Sequence, residues 1–206
     1  YAWMPVMAFD LGPNADYVKD TRLNKVNPEH YLRLNPYNPA NIKIINDIYA
    51  DLSFYSKFNG LLFHDDAFLT DYEGPISGKR DDATLDQEAE DKTQYLIQLT
   101  KGLEKTVSEY SYRGNAKLKS ARNIYAEVVI NPKAKQWFAQ DYQAFLEHYD
   151  RTAIMAMPYM EAQHAIDAKT AKQWLNDLLK KTDLAKNNDK VVFELQAQNW
   201  KTQKAI

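Results

Sequence analysis

The sequence contains no cysteine, four histidines and no long apolar run. The absence of cysteine excludes disulfide bonds and thiolate metal sites, and it is compatible with either an oxidising or a reducing compartment. The histidines are scattered, without the HxxxH or HExxH spacing that is typical of zinc enzymes, so neither a metal nor another cofactor is expected. No stretch is apolar over the length of a transmembrane helix, and no transmembrane segment is expected either.

A strong net charge is also missing. The formal net charge is −2 at pH 7, and acidic and basic residues are interspersed along the chain. Binding to nucleic acid or to a membrane surface usually requires a concentrated basic patch, so neither partner is expected. The chain lacks GxGxxG and P-loop motifs as well, and nothing in the sequence supports nucleotide binding.

The sequence does contain enough apolar material for one folded core. Of its 206 residues, 45% are hydrophobic and 13% are aromatic, and this length is typical of a single domain. We therefore predict one domain over residues 1–206. Because the first residues already have the pattern of a strand, we expect the chain to be a fragment of a longer protein.

The stretch at residues 59–67 combines a strand pattern with a cluster of charged side chains. It opens on a glycine and runs through apolar residues to His64, Asp65 and Asp66. A short apolar run of this kind is typical of a strand buried on both faces, as in a parallel sheet covered by helices. Since two adjacent acids are costly to bury, both are predicted to face a solvent-filled cleft at the carboxyl end of the strand. The alternative is that one caps the next segment and the other is simply exposed.

Five strand patterns alternate with four helical patterns. Strands are predicted near residues 1–4, 59–66, 119–129, 152–157 and 190–197, and helices near residues 38–52, 85–110, 131–149 and 170–181. This alternation predicts an α/β fold with a parallel sheet and right-handed crossovers. Polar or aromatic residues follow every strand, which favours a (β/α) barrel of the TIM type over a doubly wound sheet, because a barrel gathers its site from several strand ends.

The segment from Asp10 to Tyr37 has no sustained periodicity. Loops of this length in compact domains are usually lids or binding loops. We therefore expect this segment to contribute to a functional site.

Acids, amides and aromatic rings at strand ends are the side chains that a carbohydrate site requires. Rings stack on the apolar faces of sugars, and a pair of carboxyl groups can act on a glycosidic bond. The candidate polar residues are His64, Asp65, Asp66, Asp71, Glu73, Arg122, Glu161 and Glu194, and the candidate aromatic platforms are Tyr1, Trp3, Trp137, Tyr159 and Trp200. Three alternatives stay open. Trp137 could belong to the core, Trp200 could belong to the core, and Arg122 could form a structural pair with a neighbouring acid.

Several runs of the sequence resemble a known family. They are Tyr1–Pro5, Leu62–Ala67, Ala121–Tyr125, Trp137–Gln140, Thr152–Tyr159 and Glu194–Trp200. In this order, and over nearly the whole chain, they resemble the carboxy-terminal domain of the biofilm poly-β-1,6-N-acetyl-D-glucosamine N-deacetylase (PgaB) family. The resemblance implies a (β/α) barrel of glycoside-hydrolase type that binds and cleaves, as an endo-acting enzyme, partly de-N-acetylated poly-glucosamine. It also implies an incomplete barrel, with two strands missing before Tyr1 and one after Ile206.

The resemblance further implies a setting and a set of site residues. The setting is a periplasmic, outer-membrane-associated lipoprotein, whose amino-terminal partner in the parent chain is a metal-dependent deacetylase domain; the metal motif of that domain is absent from this sequence. The implied acidic cluster is Asp65, Asp66 and Asp71, with Glu73 close by, and the implied aromatic groove is Tyr1, Trp137 and Trp200. Asp65 or Asp66 is predicted to be the catalytic acid, with Glu161 or Glu194 as a second carboxyl.

Two other functions remain open at this point. One is a non-catalytic module that binds the polysaccharide and assists its deacetylation and export. The other is a metal-dependent deacetylase, which would require a second histidine near His64.

Overall fold

The computed structural model describes residues 1–111, 118–162, 165–199 and, for the backbone alone, 204–205. Five parallel strands form one sheet in the order in which they follow along the chain. They are β1 (Ala2–Met4), β2 (Gly60–Phe63), β3 (Lys119–Tyr125), β4 (Arg151–Ala156) and β5 (Val191–Leu195), followed by a short antiparallel pair, β6 (Gln198–Asn199) and β7 (Lys204–Ala205). The predicted α/β architecture with five parallel strands is therefore confirmed.

Helices connect the successive strands. They are α1 (Pro39–Tyr55), α2 (Asp82–Tyr110), α3 (Ala126–Ile130), α4 (Lys135–Phe138), α5 (Tyr142–His148), α6 (Pro158–Glu161), α7 (Ala168–Lys181) and α8 (Leu184–Asn187), with a 3₁₀ turn at Pro132–Ala134. The first helix begins where the sequence predicts, because the Asn38 side chain accepts a hydrogen bond from the Ala40 N–H and Pro39 occupies the first turn. Within the described residues, no helix is long and apolar enough to cross a membrane.

The sheet is open. Strand β1 pairs with β2 and strand β5 with β4, and within the part of the chain that the structure describes these two edge strands do not pair with each other. The helices pack on one face of the sheet, where Leu61, Phe63 and Ile124 belong to the same buried core as Ile45 and Tyr49 of α1. The site is therefore found on the opposite face.

The region after β3 differs from the expected strand and helix. The strand was expected to continue to residue 129, but it ends at Tyr125. Its neighbour β2 has already ended, since Phe63 pairs with Arg122, and the Tyr125 N–H bonds the side chain of Gln140 instead. The single helix expected over residues 131–149 is interrupted at Ala139, which has a left-handed φ of 46°. This interruption is what brings Gln140 back to β3.

Candidate active site

A cleft of about 830 Å³ opens at the carboxyl ends of the strands, on the face that the helices leave uncovered. This volume is within the range of sites that bind small molecules. The residues that the sequence predicts and that line the cleft are Trp3, His64, Asp65, Trp137 and Glu194. The loop after β1 reaches the cleft through Glu29, His30 and Tyr31, as expected for the long segment between Asp10 and Tyr37.

Strand alternation explains why these side chains meet. Neighbouring residues of a strand point to opposite faces, and residues paired between parallel strands share a face. Tyr125 pairs with Met155, and Met155 pairs with Glu194, so the three side chains form one row across β3, β4 and β5. Asn123 lies two residues before Tyr125 and lines the same cleft.

Asp65 is held in the cleft by three neighbours. Its Oδ2 accepts hydrogen bonds from the Tyr125 hydroxyl at 2.8 Å and from the Tyr31 hydroxyl at 3.3 Å, and its Oδ1 lies 2.6 Å from His64 Nδ1. The side chain is nearly buried, with an exposed fraction of 3% for the residue. Burial works to raise the pKa of Asp65, but the contacts with His64 and Tyr125 outweigh it and hold the pKa below the ordinary value. Asp65 is therefore ionised at neutral pH.

His64 is the cationic partner of Asp65. Burial works to lower the pKa of His64, but the carboxylates of Asp65 and Asp66 outweigh it and raise the pKa to about 9. The imidazole ring also lies 5.0 Å from the ring of Trp3 and 5.9 Å from that of Tyr31, measured between centroids. At neutral pH the cleft thus contains an imidazolium next to a carboxylate.

This ion pair predicts a pH-dependent contribution of His64 to stability. Because the pKa of His64 is raised in the folded state, the contribution is fully present below about pH 6.5 and is lost as pH rises through about 9. Thermal unfolding from pH 5 to 10 should show the wild type more stable than His64→Gln by about 1–2 kcal/mol near pH 6, allowing for the partial exposure of the ring. The difference should shrink above pH 9. A difference that stays constant up to pH 10 would contradict the pairing.

Glu194 has the opposite electrostatic environment to Asp65. Burial raises the pKa of Glu194, and the negative charge of Asp65 raises it further. Its Oε2 accepts a hydrogen bond of 3.0 Å from the Asn123 side chain. A carboxyl group with a raised pKa holds its proton to a higher pH and is better suited to donate it, whereas a carboxylate with a lowered pKa is suited to accept a proton or to attack. The pKa shifts therefore favour Glu194 as the acid and Asp65 as the base or nucleophile.

Asp66 does not face the cleft, and the expectation that it would is wrong. Its side chain is fully buried, with an exposed fraction of 0%. The carboxylate accepts hydrogen bonds from the backbone N–H groups of Val6 at 3.1 Å, Met7 at 2.6 Å and Ala8 at 2.5 Å. These donors compensate the cost of burial and tie the loop after β1 to the end of β2. Asp66 is thus a structural residue that connects the two segments bordering the cleft.

Glu73 and Asp71 are also outside the cleft. Glu73 is buried and forms an ion pair of 2.7 Å with Arg33, while its second oxygen accepts the Thr70 N–H at 3.0 Å. Asp71 forms an ion pair of 2.6 Å with Arg80, next to the ring of Tyr72. The predicted cluster of four acids is therefore wrong, because these two acids are bound to arginines elsewhere.

Tyr1 and Arg122 occupy positions that do not suit sugar binding. Tyr1 precedes β1 and lies against Gly60, at the amino end of the strands and so at the opposite end from the cleft. Arg122 is buried on the helix-facing side, where it donates a hydrogen bond of 2.6 Å to the Ala67 carbonyl and lies 5.4 Å from the ring centroid of Phe145. No carboxylate forms an ion pair with it among the described residues. Arg122 therefore does not line the cleft. It also does not form the ion pair with a neighbouring acid that the sequence left open.

Two other predicted residues, Tyr159 and Glu161, are placed away from this cleft. Tyr159 lines a separate cavity of about 280 Å³ beside α7. Glu161 lies at the end of α6 and does not line the cleft; burial and the nearby charge of Glu127 raise its pKa to about 7. Trp200 lies outside the described residues. Glu194 is therefore the second carboxyl that the structure brings to Asp65.

The exposed aromatic platforms of the cleft are Trp3 and Trp137. Their exposed fractions are 62% and 45%, and both rings border the cleft. Trp137 is in the short helix α4, and this degree of exposure rules out the alternative that it belongs to the core. Sequence reasoning missed Tyr31, Tyr125 and Asn123. The alternation of β3 could have identified the last two, whereas no local pattern marks Tyr31.

Metal binding has no side-chain basis in this cleft. Within residues 1–111, 118–162 and 165–199, no three His, Asp or Glu side chains are grouped so that they could hold a metal ion. His30 lines the same cleft as His64, but its ring contacts Glu73 and Arg33. The deacetylase alternative therefore gains no support from these residues.

Comparison with known proteins identifies the family. A family model described as hypothetical glycosyl hydrolase family 13 matches residues 1–206. The chain belongs to this family. A solved structure, the PgaB (BpsB) glycoside hydrolase domain from Bordetella bronchiseptica, superposes with a TM-score of 0.85 at 33% identity, covering 100% of this chain and 63% of that chain. The predicted barrel fold is therefore confirmed, as an open (β/α) barrel of the TIM type.

Curated relatives of this glycosyl hydrolase domain carry a deacetylase name. The poly-beta-1,6-N-acetyl-D-glucosamine N-deacetylases of Escherichia coli strain K12 and of Escherichia coli O157:H7 are each 39% identical to this chain over 97% of its length. The chain spans 32% of the length of these relatives. These matches confirm the resemblance to the PgaB family.

Proposed function

We propose that this chain is a glycoside hydrolase domain that cleaves partly de-N-acetylated poly-β-1,6-N-acetyl-D-glucosamine. The observation that supports a catalytic role is the pair of carboxyl groups in one cleft whose pKa values are shifted in opposite directions, Asp65 downward and Glu194 upward. A glycosidase requires one carboxyl group of each kind. A module that only binds the polysaccharide does not require this difference, so the catalytic interpretation is favoured over the non-catalytic one.

Each residue of the pair has a defined part in the proposed reaction. Glu194 donates its proton to the glycosidic oxygen as the bond to the anomeric carbon breaks. Asp65 acts on the anomeric carbon, either as the nucleophile or as the base that activates a water molecule, and the separation of the two carboxyls with substrate bound decides between these mechanisms. The His64 imidazolium and the Tyr125 hydroxyl keep Asp65 ionised, and the hydroxyls of Tyr125 and Tyr31 fix its orientation.

The charge of the cleft supports the choice of substrate. Glu29 and Asp65 bring two carboxylates to the cleft, and among the described lining residues His64 carries a positive charge at neutral pH, while Glu194 is the protonated acid of the proposed reaction. Free glucosamine amines are largely protonated near neutral pH, while N-acetylated units are neutral. A negative cleft concentrates cationic ligands. We therefore infer that the domain prefers chains in which some units have lost the acetyl group, which agrees with the deacetylase name of the curated relatives.

The role of Glu194 predicts a dependence on the leaving group. Glu194→Gln should lower kcat/KM on the polymer by about 10²–10⁴-fold, because the departing oxygen is no longer protonated. On an aryl glycoside, whose leaving group departs without a proton, the kcat/KM of Glu194→Gln should fall far less. The rates of wild type, Glu194→Gln and the control Glu161→Gln on both substrates test this prediction. Equal losses on the two substrates would show that Glu194 is not the acid, and a loss in the control alone would assign that role to Glu161.

The exposed rings predict a contribution to binding. Trp3→Ala and Trp137→Ala should each weaken oligosaccharide binding by about 1–3 kcal/mol, if stacking on a sugar ring is a central contact. Calorimetric titration of a partly deacetylated oligomer measures the effect. Tyr55→Ala is the matched control, because Tyr55 is an aromatic residue at the end of α1 that is exposed away from the cleft. Unchanged affinity in both tryptophan variants would show that neither ring stacks on the bound sugar.

We also propose a setting for the domain. Its membership of the family and the small share of its curated relatives that it spans support a parent chain with an amino-terminal deacetylase domain. The resemblance to the PgaB family supports a periplasmic, outer-membrane-associated location. Fractionation of cells that produce the parent chain tests this location, and recovery in the cytoplasmic fraction would contradict it.

A further inference from the structure

Asp65 belongs to a segment whose backbone carbonyls are held by cations. The Asp65–Thr70 segment leaves β2 and lines the cleft with Asp65, Phe68 and Thr70. Arg122 Nη2 donates to the Ala67 carbonyl at 2.6 Å, Lys92 Nζ donates to the Thr70 carbonyl at 3.1 Å, and Arg33 Nη1 donates to the Phe68 carbonyl. The segment is irregular and largely buried, so its carbonyls lack the partners of a regular strand or helix. The Thr70 carbonyl also accepts a hydrogen bond from the Glu73 N–H at 3.1 Å.

The three cations come from different parts of the fold. Arg33 is in the loop after β1, Lys92 is in α2, and Arg122 is in β3. All three are almost fully buried. Since long side chains lose conformational freedom and buried charges lose their hydration, such residues need a compensating partner. Convergence of three of them on one short segment is therefore a specific feature of this site.

Direct ion pairs do not explain two of these cations. Arg33 pairs with Glu73 at 2.7 Å. Within the part of the chain that the structure describes, neither Lys92 nor Arg122 forms an ion pair with a carboxylate. The charge of Lys92 is instead favoured at longer range by the carboxylates of Glu88, Asp71 and Glu73, and the buried Asp66 lies in the same segment as the carbonyl that Arg122 contacts. The hydrogen bonds to the Ala67 and Thr70 carbonyls are thus the direct polar contacts of these two side chains.

We propose that Arg33, Lys92 and Arg122 are positioning residues that hold the Asp65–Thr70 segment, and with it Asp65, in the geometry required for catalysis. This inference rests on the proposed function of Asp65. The Asp66 carboxylate holds the other side of the segment through the N–H groups of residues 6–8. Asp65 is consequently fixed by its neighbours in the chain as well as by its own hydrogen bonds to Tyr125 and Tyr31.

Variants that remove one donor test the proposal. Lys92→Met and Arg122→Met keep an unbranched apolar stem and lose the bond to the carbonyl. We expect kcat to fall by about 10–100-fold in each, since small misplacements of a catalytic group are costly, with KM within about threefold of the wild type. Arg122→Lys should recover most of the kcat. The matched control is Lys190→Met, because Lys190 Nζ also donates to a carbonyl, that of Leu146, far from the cleft.

The outcomes separate positioning from general stability. If Lys92→Met and Arg122→Met fold and keep the kcat of the Lys190→Met control, the proposal is overturned. If they do not fold, amide exchange in the wild type decides, because a segment held in this way should exchange at Phe68 and Leu69 as slowly as β3 does. Faster exchange at these amides through local opening also overturns the proposal. The exchange experiment needs no substrate, so its result stands even if the wild type shows no hydrolase activity.

Discussion

Asp65→Asn is expected to lower turnover of the polymer by about 10²–10⁴-fold while the protein stays folded. The amide cannot serve as nucleophile or base, but its oxygen can still accept hydrogen bonds from Tyr125 and Tyr31. Loss of the contact with His64 should lower the free energy of unfolding by about 1–2 kcal/mol, which is too little to unfold a domain of ordinary stability. Steady-state kinetics and urea denaturation of the same preparations measure both effects.

Asp71→Asn is the control for Asp65→Asn. Asp71 was part of the acidic cluster expected from the sequence, and its carboxylate is bound to Arg80 outside the cleft. The variant should keep near-wild-type turnover. Full activity of Asp65→Asn, or an equal loss in both variants, would show that Asp65 has no direct part in the chemistry.

Asp66→Asn is expected to have its main effect on stability. Its carboxylate accepts N–H groups from three consecutive residues, Val6, Met7 and Ala8. An amide offers one acceptor oxygen and places an NH₂ group against these donors. Hydrogen bonds to a buried charged group are worth about 1.5–3 kcal/mol each, and breaking a buried charged network costs about 3–5 kcal/mol. We therefore expect a loss of about 2–4 kcal/mol in the free energy of unfolding.

Urea denaturation of Asp66→Asn and of the surface variant Asp47→Asn measures this effect. Asp47 pairs with Lys43 on the exposed face of α1, so its substitution should stay within about 0.5 kcal/mol of the wild type. A stable Asp66→Asn variant that has lost its activity would instead place Asp66 in the chemistry, as the sequence first suggested. The structure thus separates the two adjacent acids: Asp65 lines the cleft, where we propose a catalytic role, and Asp66 is buried against backbone N–H groups.

Much of the fold follows from local sequence signals. The apolar run at residues 60–63 and the Asn38–Pro39 helix start are both recognisable because strand burial and helix capping depend on neighbouring residues. His64 and Asp65 were predicted at the end of a strand for the same reason, whereas Glu194 lies within the last predicted strand and was named only as a possible second carboxyl. The break at Ala139 could not, because the contact that accompanies it, from the Tyr125 N–H to the Gln140 side chain, joins residues 15 positions apart.

The errors in the predicted site have physical causes. Arg122 could have been excluded from the cleft, because its neighbour Asn123 lies there and adjacent strand residues point to opposite faces. The separate roles of Asp65 and Asp66 depend on whether the strand has already ended, which local sequence does not decide. Tyr31 reaches Asp65 in a loop anchored by the Arg33–Glu73 pair, two residues 40 positions apart. Contacts of this range leave no periodic signal in a single sequence.

The most direct test of the account is product analysis by mass spectrometry. Poly-β-1,6-N-acetyl-D-glucosamine, either partly deacetylated or fully acetylated, is incubated with the wild type, Asp65→Asn or Glu194→Gln, and the soluble products are identified. We predict short oligosaccharides that contain free glucosamine units from the partly deacetylated polymer with the wild type alone, and little product from the acetylated polymer. Intact polymer after incubation with the wild type, or the same oligosaccharides with Asp65→Asn, would contradict the account.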